Sequence, residues 1–242
     1  MRIPRIYHSA ALTSGMHTEL HPDAANHVAR VLRLSEGAEL ELFCGDDHAY
    51  QAVITQASKK HVQVKIIEAT AASTESPLQI HLAQGISRGD RMDFTLQKSV
   101  ELGVASITPL FTERCGVKLQ GERLQKKIQQ WQKIVISACE QSGRNKVPEV
   151  RPAISLQDYL SNPERPLTLT LEPSAAHSLK TVSVAQQLSL LVGPEGGFSP
   201  HEVEATHQQG CTPVHLGPRV LRTETAALTA LAALQANHGD LI

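Results

Sequence analysis

Apolar and polar residues alternate in three short runs in the first part of the chain: Glu39-Leu-Glu-Leu-Phe-Cys44, Tyr50-Gln-Ala-Val-Ile54 and Val62-Gln-Val-Lys-Ile-Ile67. The turn-forming segments Gly45-Asp-Asp-His48 and Ser58-Lys-Lys-His61 part them. A period of two sends successive side chains to opposite faces of a strand, so the pattern predicts a small β-barrel. One helix is expected to interrupt it over residues 21–33, with Pro22 in the first turn, where a missing N–H does no harm. The segment Ala69-Thr-Ala-Ala-Ser-Thr-Glu-Ser-Pro77 is small and polar and ends in proline, which reads as a linker. It divides the chain into a domain of residues 1–72 and another of residues 73–242.

Beyond the linker the period changes. Residues 78–83 read as a strand, 91–102 as a helix closed by Gly103, and 105–111 as a second strand, a βαβ unit that signals a parallel sheet. A longer amphipathic helix follows, with Leu124, Ile128, Trp131, Val135 and Ala138 on one stripe and lysines opposite. Strands over 167–172 and 188–192 precede a turn, Gly193-Pro-Glu-Gly-Gly197. Ser199-Pro-His-Glu202 then announces a helix through a capping box with proline at its first position, and Gly210 ends it. A strand over 213–216 leads to a second turn, Leu216-Gly-Pro-Arg-Val-Leu-Arg-Thr-Glu-Thr225, and a last alanine- and leucine-rich helix over 225–237. Leu228, Leu231 and Leu234 of that helix pack either into their own subunit or against a partner.

Composition narrows the function classes. The 242 residues are 41% hydrophobic, enough for a buried core. The four cysteines form no C-x-x-C pair, which argues against a zinc ribbon and a disulfide framework and for reduced thiols in the cytoplasm. The start has no apolar core of a signal peptide, and no apolar run nears the roughly 20 residues of a membrane span. Net charge is only -1, but its distribution is uneven. Residues 114–151 hold nine basic side chains against three acidic ones, and Arg2, Arg5, Arg30, Arg33, Lys59, Lys60 and Lys65 enrich the N-terminal region. One such stretch is ordinarily a solvated helix face; two separated ones favour RNA as a partner. The histidines show no metal-ligand spacing, and a G-x-S-x-G elbow is lacking.

The candidate chemistry lies in the two turns. Glycine lets a backbone approach a ligand closely, and each following helix start offers unpaired amides. Gly193–Gly197 lacks both the P-loop lysine and the G-x-G-x-x-G spacing, so nucleotide triphosphates and NAD are weakly supported. A tight turn alone also needs such glycines. Arg219, Arg222 and Glu224 cluster at a predicted strand end, where open α/β sheets bind ligands. The plainer alternative for them is an Arg–Glu surface pair.

Leu190-Leu-Val-Gly-Pro-Glu-Gly-Gly-Phe-Ser199 together with the second turn closely resembles the signature of the bacterial 16S rRNA uridine N3-methyltransferases of the RsmE family, in the SPOUT superfamily. His27-Val-Ala-Arg-Val-Leu-Arg33, Gln97-Lys-Ser-Val-Glu-Leu-Gly-Val104 and Glu140-Gln-Ser-Gly-Arg-Asn-Lys-Val-Pro148 match as well, in the right order, so the resemblance covers nearly the whole chain. Arg88 stands where many relatives have lysine. The resemblance implies an α/β fold: a SPOUT-type parallel sheet with a C-terminal trefoil knot, plus a small N-terminal PUA-like β-barrel that binds RNA. It implies a homodimer with its site near the subunit interface, and S-adenosylmethionine held bent in the knot loops by Leu171, Glu172, Leu191, Gly193, Gly196, Leu216, Gly217, Val220 and Leu221. The substrate implied is a uridine of 16S rRNA or the small ribosomal subunit, with no membrane and no metal involved. Arg222 is the expected catalytic residue, assisted by Arg5 or Arg219, with Glu224 orienting an arginine. The alternatives are a SPOUT methyltransferase for another RNA position and a non-catalytic RNA-binding or ribosome assembly factor.

Overall fold

A computed structural model describes residues 3–58 and 61–242, so Arg2, Lys59 and Lys60 of the expected RNA-binding surface lie outside the described residues. The chain forms two compact units, Met1–Glu75 with Cys139–Val147, and Ser76–Ala138 with Pro148–Ile242.

The first unit is built on a five-stranded sheet. Its strands are β1 (Arg5–Tyr7), β2 (His17–Glu19), β3 (Glu39–Phe43), β4 (His48–Ala57) and β5 (Val62–Ala71), in the order β1-β3-β4-β5-β2. The three alternating runs became β3, β4 and β5; in β5, Val62, Val64 and Ile66 are buried while Gln63 and Lys65 face solvent. Among the described residues the ladder ends at β1 and β2 without pairing those two edges. β5 continues to Ala71, so the segment expected as linker begins as strand. The expected 21–33 helix is shorter: α1 (Pro22–Asn26) gives way to a π-turn over His27–Val31, and Arg33 follows with φ 55°.

Residues 139–147, which the sequence placed within 73–242, are held with this first unit by polar contacts. Arg144 pairs through two nitrogens with the Glu75 carboxylate, Lys146 pairs with Asp47 at 2.8 Å, and the Asn145 amide donates to the Ala72 carbonyl. Tyr7 N–H donates to Glu140 at 3.1 Å. Burial pushes the Glu140 carboxyl up, and the Tyr7 bond and the His27 and Arg5 charges only partly oppose that.

The second unit is an all-parallel sheet. Its strands are β6 (Gln79–Gly85), β7 (Val104–Phe111), β8 (Glu149–Val150), β9 (Ile154–Ser155), β10 (Thr168–Leu171), β11 (Gln187–Val192) and β12 (Thr212–Val214). They run in the order β12-β10-β11-β6-β7-β8, and β9 also pairs with β7. β6 is buried from Ile80 to Gly85, as a strand covered on both faces must be. The helices are α2 (Asp90–Glu101), α3 (Gly121–Ser142), α4 (Leu156–Leu160), α5 (Pro200–Gln208) and α6 (Thr223–His238). Trp131 of α3 is buried, and its indole N–H donates to Asp93 at 3.1 Å, so the apolar stripe reads correctly as core.

α6 packs on α2, β6 and β11, and Leu231 and Leu234 are buried within their own unit rather than left for a partner. Near its end Gln235 accepts from the Ser76 hydroxyl at 2.6 Å and donates to the Gly103 carbonyl at 3.2 Å. The path into α6 is unusual. From β11 the chain crosses by α5 to β12, which lies beyond β10, and then returns through the second turn to a helix set against β11 and β6.

Candidate active site

β10, β11 and β12 end side by side at Leu171, Val192 and Val214, so the turns that follow rise at one edge of the sheet. They wall a cavity of about 840 Å³. Carboxyl ends of parallel strands are where such sheets bind ligands, because helix starts and free backbone groups converge there.

The first turn closes on itself through a 2.9 Å bond from Gly197 N–H to the Pro194 carbonyl, with Gly197 at φ 65°, a conformation that penalises a side chain. Two arginines grip it. Arg114 donates to the carbonyls of Gly196 (3.0 Å) and Phe198 (3.1 Å), and Arg91 donates to Glu195 (3.2 Å). Partial burial opposes charge on Glu195, but hydrogen bonds from the Arg88 and Glu195 backbone amides and from Arg91 outweigh it and hold this carboxyl below its ordinary range. The Ser199 capping box is complete, with reciprocal bonds of 3.1 and 2.9 Å to Glu202, which also accepts from Glu113 N–H.

A buried polar relay ties the first turn to the second. Thr223 Oγ1 donates to the Gly193 carbonyl at 2.6 Å and accepts from Gln84 Nε2 at 3.0 Å; Gln84 also donates to the Gly85 carbonyl. The end of β6 lies so close to the first turn that a Cβ on Gly85 would sit 2.5 Å from Pro194 N. On the β10 side, the Glu172 carboxylate accepts from Ser174 Oγ at 2.7 Å and meets His207 Nε2 at 3.0 Å. Leu171, Val192, Val203, Val214, Leu216 and Leu221 supply apolar wall.

The rim is different. Arg219, Val220 and Arg222 are exposed, Val220 to 83%, and neither arginine side chain makes a hydrogen bond or ion pair among the described residues. Arg222 is the N-cap of α6 but forms no side-chain cap bond. The surface Arg–Glu pair weighed from sequence is therefore absent among the described residues: Glu224 has no arginine partner there, and its Oε2 is shut off from solvent without any. The arrangement is a half-apolar pocket with fixed backbone acceptors inside and free guanidinium groups at its mouth. That combination suits a flat, polar-edged ligand beside a polyanion or a developing negative charge.

Residues 74–235 match the family model of an RNA methyltransferase domain, and residues 20–67 that of an RNA methyltransferase PUA domain. The chain belongs to this RNA methyltransferase family. A ribosomal RNA small subunit methyltransferase E of Buchnera aphidicola is 38% identical, over 99% of this chain and 98% of the relative. The enzyme of that name from Neisseria gonorrhoeae, solved bound to S-adenosylmethionine, is 42% identical over the whole of both chains with a TM-score of 0.95. A Legionella pneumophila protein solved with the same cofactor is 47% identical with a TM-score of 0.96, again over both full chains. These matches place the chain in the RsmE branch of the RNA methyltransferases and make the first unit's sheet PUA-like.

Within this RNA methyltransferase fold, Leu171, Glu172, Gly193, Gly196, Leu216, Gly217, Val220 and Leu221 all line the cavity, as do Arg219, Arg222 and Glu224. Two expected residues stand elsewhere. Leu191 is buried in a core cluster with Ala83, Leu110 and Leu156, because β11 is covered on both faces and this side chain packs into the core. Arg5 belongs to the first unit, where its guanidinium is taken up by Glu41, Asn145 Oδ1 (2.7 Å) and the Arg144 carbonyl (3.2 Å) and lies over the Phe43 ring. Sequence reasoning missed Gln84, Thr223 and the turn-gripping role of Arg114. Gln84, beside Gly85 at the end of β6, is the one available signal; from the sequence Arg114 reads only as part of a basic stretch.

Proposed function

We propose that this chain transfers a methyl group from S-adenosylmethionine to N3 of a uridine in 16S rRNA. The observation that carries the reading is the cavity at the ends of β10, β11 and β12, walled by both glycine turns and rimmed by unpaired arginines, in a chain whose relatives bear the name ribosomal RNA small subunit methyltransferase E. The residues fit the cofactor. The volume lies within the range of about 300 to 1,000 Å³ usual for such ligands. Leu171, Leu216, Val220 and Leu221 can cover the faces of an adenine, and backbone groups of Gly193, Gly196 and Gly217 can read its edge; Leu191 supports them from beneath.

Bound there, the cofactor supplies an electrophilic methyl group on a sulfonium. The chain's task is to make uracil N3 nucleophilic. Neutral N3 carries a proton, so the site must favour its loss and stabilise the charge spread onto the flanking carbonyl oxygens. Arg222 is the proposed group: its guanidinium stays protonated, presents a planar fork of donors, and has no other partner to satisfy. Arg219 assists from the same rim. Arg5, with both terminal guanidinium nitrogens engaged inside the first unit, acts on RNA placement through the 139–147 segment rather than on the reacting base. Because N3 lies on the Watson–Crick edge, the target uridine must be unpaired or flipped.

Residues 1–72 serve as the RNA-binding domain and 73–242 as the catalytic domain. The return of the chain from β12 to α6 is proposed to form a trefoil knot, with Thr223 and Gly193 bonded where the two turns meet. A homodimer and a cytoplasmic setting complete the reading, on the family resemblance. Among the described residues no helix is long and apolar enough to cross a membrane. The test is N3-methyluridine mapping in 16S rRNA from a strain lacking the protein. The modification should be missing there and should return on incubation with purified protein and S-adenosylmethionine; an unchanged map overturns the function.

A further inference from the structure

Four carboxylates line the cavity, and three of them are engaged. Glu172 meets Ser174 and His207, Glu195 meets Arg88 and Arg91, and Glu204 accepts from Gln208 at 2.9 Å. Glu224 is the fourth, and its Oε2 is both buried and without a partner among the described residues. An unpaired buried carboxylate oxygen is costly, and native structures retain one where something absent from the free protein completes it.

The nearest cations in sequence cannot do so. Arg222 precedes the first residue of α6 and Glu224 is its second, and side chains two positions apart on a helix do not face each other. Arg222 and Arg219 accordingly make no ion pair with it. Among the described residues nothing meets this oxygen, and a cationic ligand in the same cavity would.

Resting on the S-adenosylmethionine reading above, we infer that Glu224 is the group that recognises the sulfonium charge and so distinguishes the methyl donor from its spent product. The donor carries two cationic groups, and its ammonium is balanced by its own carboxylate and is shared with S-adenosylhomocysteine. Only the sulfonium differs between the two. Glu224, two residues from Arg222, lines the same cavity, where the methyl must be delivered to a base whose charge Arg222 stabilises. When the sulfur–methyl bond breaks, its electron pair remains on sulfur and the N3–methyl bond forms. The positive charge facing Glu224 is then gone. The carboxylate is left unpaired again, the product is held less tightly, and exchange for fresh donor is favoured.

Calorimetric titration of S-adenosylmethionine, S-adenosylhomocysteine and sinefungin, which carries an amine-bearing carbon in place of the sulfonium, tests this on the purified full chain. The unsubstituted protein should bind both cationic ligands more tightly than S-adenosylhomocysteine. Glu224→Gln should weaken both by about ten-fold or more while leaving S-adenosylhomocysteine within about two-fold, as expected for one charge-assisted contact. Glu224→Asp, which keeps the charge one methylene further back, should fall between and serves if the glutamine variant does not fold. Equal losses for all three ligands, no loss, or a native preference for the neutral product overturns the inference while leaving the cofactor reading standing. No binding of any of the three to the unsubstituted protein overturns both.

Discussion

Replacing Arg222 by alanine separates a catalytic arginine from a structural one unusually cleanly, because the structure assigns the side chain nothing else to do. It is exposed, has no hydrogen bond or ion pair among the described residues, and caps α6 with its backbone alone. Surface substitutions away from such features change stability by no more than about 0.5 kcal/mol, so the melting temperature should hardly move. Loss of one positioned donor to developing negative charge instead raises the barrier by roughly 2.7 to 4 kcal/mol, a fall of about 10² to 10³ in rate. Single-turnover methylation of a 16S rRNA substrate with the cofactor saturating reads that step directly, and a cofactor titration should change far less. Arg222→Lys should recover only part of the rate, since a point ammonium lacks the planar fork. A near-native rate for Arg222→Ala would remove it from the reaction. A large drop in melting temperature would show that it holds the turn after all.

Thr223→Val keeps the shape of the relay but leaves the Gly193 carbonyl only the longer 3.4 Å bond from Gln84 Nε2, so it should lower unfolding free energy by about 0.5 to 1.5 kcal/mol and weaken cofactor binding; denaturant unfolding that matches the parent refutes the relay. His81 contacts Ser106 at 2.6 Å and Thr108 at 3.0 Å, and burial, helped by the Arg151 charge, pushes its pKa down to about 4. An unfolded histidine titrates near 6.5, so the unfolded chain takes up this proton first; the stability due to neutral His81 is complete above about pH 6.5 and is lost as pH falls toward 4, roughly 3 kcal/mol in all. Urea unfolding between pH 7 and 4 should show that slope, and the same slope in His81→Asn would disprove its origin. Light scattering should give a dimer mass for the purified chain, and a monomer at every concentration would contradict the proposed assembly.

Local signals were readable wherever the nearest neighbours decide the outcome. The alternation of β5, the stripe that buries Trp131, and the Ser199–Glu202 capping box depend on spacing within one element, and all three formed as spaced. The start of α6 was misjudged by two residues because Arg222 caps it without a side-chain bond, leaving no capping residue to see. α4 was overlooked although Ser155 and Asp158 form its N-terminal cap at 3.0 Å, for its five residues hold too little periodicity. The brief strands β1 and β2 owe their existence to pairing with β3 and β5, not to their own composition.

By itself the sequence determined the two glycine turns, the βαβ order and, through five motifs, the family, since each is written in residue identity over short distances. What required tertiary structure was which charges remain free. Arg5, Arg219 and Arg222 look alike in sequence, but Arg5 is met by Glu41, Asn145 and the Arg144 carbonyl from far along the chain, while the side chains of the two rim arginines bond nothing among the described residues. Glu224 reads as an arginine's partner until the helix geometry turns it away from Arg222 and leaves one oxygen buried and unanswered. Whether a charged side chain is satisfied depends on groups brought close by the fold from distant positions, and that is settled only when the strands and turns are in place.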